Sequence, residues 1–199
     1  MKKTIIDGVN YYPHSNGGGL VAETATVSKT AYIGRNARVY GCAKVYGNAR
    51  VSANARVFAA ARVYGHAKVS GNAEVYGHAR IFGHARVFEY AEVFGNARVY
   101  GHAEVYDNAE VTGNARVFGN AKVSGNAIVS DNAKVSGKAK VFGHAIIISH
   151  AEVYDNAEVA GNAEVFGDTQ VTGNSRVFGD TQVSDNTKVF GYATVTTNT

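Results

Sequence analysis

The sequence predicts an all-β solenoid in a single domain, and three observations carry that prediction. From Ala25 to Ala193 the chain repeats a hexad, Ala-x-Val-x-Gly-Asn, twenty-nine times in unbroken phase. Ala and Val stand two apart within each hexad, so on an extended strand they point to one side and the x residues to the other. The remaining pair, Gly-Asn, Asp-Asn or Gly-His, supplies residue types that tolerate the left-handed backbone of a sharp corner. A short strand and a corner, repeated, make a polygon. The composition agrees, with one Pro, no Trp and Leu20 as the sole leucine. Ala and Val alone can fill only a narrow, uniform core, which is the mark of a repeat protein.

Residues 1–20 stand outside the repeat. Thr4-Ile5-Ile6 and Val9-Asn10-Tyr11 flank Asp7-Gly8, a hairpin signal, and Pro13 and Gly17-Gly18-Gly19 follow. This segment is expected to cap the first open coil, because an unpaired solenoid end invites aggregation. Residues 21–199 are the expected solenoid. Ala97-Arg98-Val99-Tyr100-Gly101-His102 is a typical hexad, with Ala and Val inside and the charged and aromatic residues outside. Near the end the inward Ala becomes Thr169, Ser175, Thr181 and Thr187, whose hydroxyls can bond adjacent backbone, as suits a coil closer to water. No capping helix follows, so the last edge is expected to be open or covered by another chain. Met1-Lys2-Lys3 has the basic start of a signal peptide, but Asp7 interrupts any apolar region. No apolar stretch is long enough to span a bilayer, and Cys42 is the only cysteine, which excludes an intrachain disulfide. A cytoplasmic location with no membrane association is the expectation.

Val39 and Ala43, then Val45 and Ala49, place an aliphatic residue and a small one four later, and the pattern continues down the chain. In this the chain resembles the hexapeptide-repeat, left-handed β-helix family, over about Val21 to Val195. The resemblance implies a left-handed parallel β-helix of triangular section, three hexads per turn and about ten coils. At ~4.8 Å per strand the rod would be roughly 45–50 Å long. It also implies a homotrimer of subunits packed side by side. The acyltransferases of the family use acyl-CoA and a corner histidine at the subunit interface as base. They usually throw a loop out of the coil and often end in a helix, and the unbroken phase leaves room for neither. The texture is most similar to insertion-free hexapeptide proteins of bacteria and phages, some of them described as acyltransferases.

With three hexads per coil, residues eighteen apart stack in columns. One face carries Lys44, Arg62, Arg80, Arg98, Arg116 and Lys134 beside Tyr46, Tyr64, Phe82, Tyr100 and Phe118. A second opens with Arg38 and Arg56 and continues with Glu74, Glu92, Glu110 and Glu164; Tyr40, Phe58, Tyr76, Phe94 and Phe166 lie beside them, and Ile128, Ile146 and Ile148 form an outward apolar patch. The third is mixed, with Arg50, Lys68, Arg86, Glu104, Lys122, Lys140 and Glu158. Like charges on neighbouring strands cost on the order of 0.2–1 kcal/mol per pair, so six basic rungs need an explanation. Three stand. Arginine can lie over the adjacent ring and splay into water. The acidic face of another copy can neutralise the basic one, which also buries the aromatic columns and the isoleucine patch in a homotrimer. Or a polyanion, nucleic acid or acidic glycan, can bind the basic-aromatic surface.

All histidines but His14 occupy the corner slot that Asn fills elsewhere, and His66, His84 and His102 stack on one edge. They are the candidates for a catalytic base, against the simpler reading that His replaces Asn at a left-handed corner. No carboxylate or thiolate completes a metal site, and no phosphate-cradling loop, Ser-His-Asp set or paired-carboxylate motif is present, so neither metal nor cofactor is expected. Thr112, Thr172 and Thr196 form no continuous array of the kind that meets ice. The function expected is a non-enzymatic structural or binding scaffold, a trimeric rod engaging an unknown macromolecule. A hexapeptide acyltransferase and a polyanion binder are the alternatives.

Overall fold

A computed structural model describes residues 3–196; Met1 and Lys2 of the expected cap, and 197–199 of the expected solenoid, lie outside the described residues. Among the described residues there are strands and no helix. The chain winds as a left-handed parallel β-helix of about ten turns with three sheets. Strands β1 (Thr4–Ile6), β2 (Val9–Pro13) and β3 (Leu20–Ala22) open the first sheet, β4 (Thr26–Val27) the second and β5 (Tyr32–Ile33) the third. Every later strand is the x-Val pair of one hexad, or x-Ile at Arg80–Ile81 and Ile146–Ile147, extended by one residue at Arg176–Phe178 and Thr194–Thr196.

From β3 onward neighbouring strands of a sheet pair in parallel, eighteen residues apart, so that Arg62 meets Lys44 and Arg80, and Val63 meets Val45 and Ile81. Both x residues and the second corner residue donate to the next coil: Arg62 N to Ala79 O at 2.9 Å, Tyr64 N to Ile81 O at 2.9 Å and His66 N to Gly83 O at 2.8 Å. The inward Ala closes the corner by donating to the carbonyl three residues back, as Ala73 N does to Ser70 O at 3.3 Å. A backbone so regularly paired leaves the side chains only one inside, and the inward Ala and Val are fully buried from Ala31 to Val177.

The corners explain which residues fill them. From Gly41 to Gly191 the first corner residue is left-handed; Gly125 has φ 68°, and a Cβ there would lie 2.8 Å from the nitrogen and the oxygen of Gly143 one coil below. Where the residue is acidic, its carboxylate does what Gly cannot. Asp107 accepts from Gly125 N at 2.8 Å, Asp131 from Ser149 N at 3.1 Å and Asp155 from Gly173 N at 3.2 Å.

At the start, β1 and β2 form a hairpin about Asp7-Gly8, and β2 lies antiparallel to β3 with Tyr11 opposite Ala22. The loop that follows runs along β5: Asn16 Nδ2 donates to Ala31 O at 3.0 Å and Gly19 N to Ile33 O at 2.9 Å. At the other end the inward hydroxyls bond adjacent backbone as expected and Thr187 is exposed, but the earlier ones differ from expectation in their burial. Thr169 and Ser175 are fully buried rather than near water, and each returns its hydroxyl to the carbonyl three residues back, Thr169 to Phe166 O at 2.6 Å and Ser175 to Thr172 O at 2.7 Å. They are tolerated because they are satisfied, and no described buried side-chain polar atom lacks a partner.

Candidate interaction faces

The basic column is continuous. Lys44, Arg62, Arg80, Arg98, Arg116 and Lys134 pair rung by rung. Among the described residues, only Lys134 of these six has a carboxylate partner, Glu152 at 2.7 Å. Beside it the rings of Tyr46, Tyr64, Phe82, Tyr100 and Phe118 stack with centroids 4.8–5.0 Å apart and planes within 4°. Each ring covers its neighbour's face, so the column offers the solvent ring edges. Bases stack on ring faces, and those of the inner rungs are already occupied. The rings do not receive the arginines either. The cations found over rings are Arg50 on Tyr32, Arg86 on Phe88 and Arg176 on Phe178, all on the mixed face. Burial first, and then the neighbouring Tyr46, hold the Tyr64 phenol above its ordinary range despite the arginines around it.

On the acidic face Glu74, Glu92 and Glu110 stack in register, and Ile128 and Ile146 continue the column. Glu74 forms an ion pair with Arg56. Glu92 accepts from the Tyr76 hydroxyl at 2.9 Å, and no described cation reaches Glu92 or Glu110 within ion-pair distance. Burial, then that hydrogen bond and the stacked carboxylates push the Tyr76 phenol up to about 12. Tyr40, Phe58, Tyr76 and Phe94 form a second stack at 4.8–4.9 Å. Ile128, Ile146 and Ile148 are half-buried on the same face.

On the mixed face two carboxylates each hold two cations, while Arg50 and Lys68 have no described carboxylate within ion-pair distance. Glu104 bridges Arg86 and Lys122, both at 3.0 Å, and Glu158 bridges Lys140 at 2.9 Å and Arg176 at 3.3 Å. The hydrogen bond from Lys140 holds the Glu158 carboxyl below the usual carboxylate range.

His66, His84 and His102 stack at 5.0 and 4.9 Å, exposed on the corner after the basic face. No described carboxylate lies within ion-pair distance of them, and no described group of three His, Cys, Asp or Glu side chains could hold a metal. The histidine that does meet an acid is His150, with Nδ1 3.7 Å from Asp168 and Nε2 3.4 Å from Asn132. Its signal was the eighteen-residue spacing from His150 to Asp168, the same spacing that builds the columns. A groove of about 350 Å³ runs along this corner between Asn114, Lys134, His150 and Asp168.

Residues 43–58 match a family model described as the YdcK beta solenoid repeat. No curated protein matches the chain. Among solved structures the chain is similar to Arabidopsis UDP-N-acetylglucosamine acyltransferase, at 17% identity and a TM-score of 0.39, over 85% of this chain and 70% of that one. No described helix is long and apolar enough to cross a membrane.

Proposed function

We propose that this hexapeptide-repeat, left-handed β-helix protein is a non-enzymatic scaffold, a rod that assembles side by side with two further copies of itself and engages another macromolecule. One observation carries the reading: in the middle of the rod Glu104 pairs Arg86 and Lys122 on the mixed face, whereas Arg80, Arg98 and Arg116 on the basic face and Glu92 and Glu110 on the acidic face have no described ion-pair partner on the same coils. Glu74 shares a coil with Arg80, Glu92 with Arg98 and Glu110 with Arg116. A neighbour that brings one face against the other relieves both columns and covers the isoleucines. The first two coils oppose this, since Arg38 and Arg56 would meet Lys44 and Arg62 of the next copy, so the attraction belongs to the middle of the rod.

The test is solution mass by light scattering at low and high salt. Wild-type protein is expected at three chains, and Arg80→Glu/Arg98→Glu at one. Adding Glu74→Arg/Glu92→Arg to that variant exchanges the signs of both faces and should restore the assembly. Wild-type protein that stays at one chain in low salt defeats the proposal.

A further inference from the structure

The scaffold reading leaves open which edge of the prism faces the centre of the assembly and which columns touch. Resting on that reading, we infer that the corner between the acidic and basic faces lies on the three-fold axis, and that the arginine column packs against the partner's Tyr and Phe column rather than directly against its glutamates.

All three sides are built from six residues, so the triangle is equilateral and adjacent faces meet at about 60°. A three-fold rotation then leaves a wedge of about 60° between the facing sides of neighbouring copies. Only the columns that border the inward corner can touch, and those further out diverge.

Which corner points inward follows from charge. The mixed face has the least to gain from a partner at the height of Glu92 and Glu110, where Glu104 holds Arg86 and Lys122 while Arg98 and Arg116 have no described carboxylate partner. It faces outward, and the opposite corner, between the acidic and basic faces, faces in. Side-chain size points the same way independently. Cys42 and Ala60 sit at this corner on successive coils, in the slot that Asn, His or Asp fills elsewhere along it, whereas the other two corners carry Tyr90 and Lys138. Small residues belong where three copies converge.

The order of residues along each strand then sets the pairing. The acidic-face strand runs toward the corner, with its aromatic residue nearest, and the basic-face strand runs away from it, with its cation nearest. At equal height Arg62 of one copy therefore meets Phe58 of the next, Arg80 meets Tyr76 and Arg98 meets Phe94. The ring faces in that column are taken by stacking, so the guanidinium lies along the ring edge and reaches outward for the carboxylate two residues back on the partner's strand. The level pairing is what adds the glutamates to the contact, through the length of the arginine.

Cys42 is exposed and is the chain's only thiol, which makes it the reporter. Native protein treated with a short trifunctional maleimide is expected to give a covalent three-chain product. Cys42→Ser/Asn48→Cys moves the thiol to the outer edge of the basic face on the same coil and is expected to give none, while scattering shows it still at three chains. Linking through residue 48 but not 42, at a mass of three chains, overturns this inference and leaves the self-assembling scaffold standing. A mass of one chain for the native protein overturns both.

Discussion

Asp107 shows what a corner residue has to do. It sits at φ 58°, where side chains other than Gly are strained, and accepts from the amide of Gly125 on the next coil at 2.8 Å. Asp107→Ala keeps the left-handed backbone and loses the acceptor, so it should cost about 1 kcal/mol in denaturant unfolding, and Asp107→Gly, which relieves the backbone, should cost less. Equal losses would mean the hydrogen bond contributes nothing. Tyr76 has a different signature. Its phenol ionises at about 12 in the folded chain against 10.0 for a free one, so the unfolded chain releases its proton first as pH rises. Its contribution to stability is complete below 10 and is lost on the way to 12. Thermal melts of wild-type and Tyr76→Phe protein across that range should converge toward its upper end, and parallel curves would refute the assignment. For Glu158, held low by Lys140, the sign reverses: its contribution is present at neutral pH and disappears on acidification through the carboxylate range. At the histidines the enzyme alternative has its clearest test. His84→Ala is expected to leave every property of the rod unchanged, and acetyl transfer from acyl-CoA that this substitution abolishes would replace the scaffold reading.

At the scale of elements, the N-terminal segment is the part whose role most needs testing. Residues 16–19 supply donors to the carbonyls of Ala31 and Ile33, and β2 covers the edge of β3. Removing residues 1–19 bares both edges, and the truncated chain is expected to aggregate on standing, followed by scattering; a monodisperse product would show that the segment is dispensable as a cap. The columns themselves were legible in the sequence, because a strict hexad phase with three sides per coil fixes every outward neighbour at eighteen residues, and Arg62, Arg80 and Arg98 pair accordingly. What periodicity could not give was how side chains turn once they are on a face. It does not distinguish an arginine over a ring, as Arg50 is over Tyr32, from one beside a column of rings that stack on each other, as Arg80 is. Nor does it distinguish Asp at a corner for its backbone tolerance from Asp there for its carboxylate. The pairing of His150 with Asp168 is hidden for the same reason, since repetition marks the histidine column and not what each ring meets.

For the whole molecule, the coil is a unit of address. Deleting eighteen residues, 79–96, removes one turn and returns every later residue to its own face, whereas deleting six, 91–96, moves every later residue one face round. Both variants keep the Ala and Val core and should give the same β-sheet circular dichroism. The first is expected to retain a mass of three chains and the second to fall to one, because its acidic and basic columns are broken midway; equal masses would show that the columns do not direct assembly. Unfolding of such a solenoid is a sum of local terms between adjacent coils, so the shorter rod loses stability by one increment without losing its shape. Seen through its eighteen-residue period, the rod is also a gauge. Its reach can grow or shrink only in steps of ~4.8 Å if its sides are to keep their bearings, so a lineage that duplicates or drops hexads can alter the span between whatever sits at the two ends in whole notches, each legible as three hexads gained or lost.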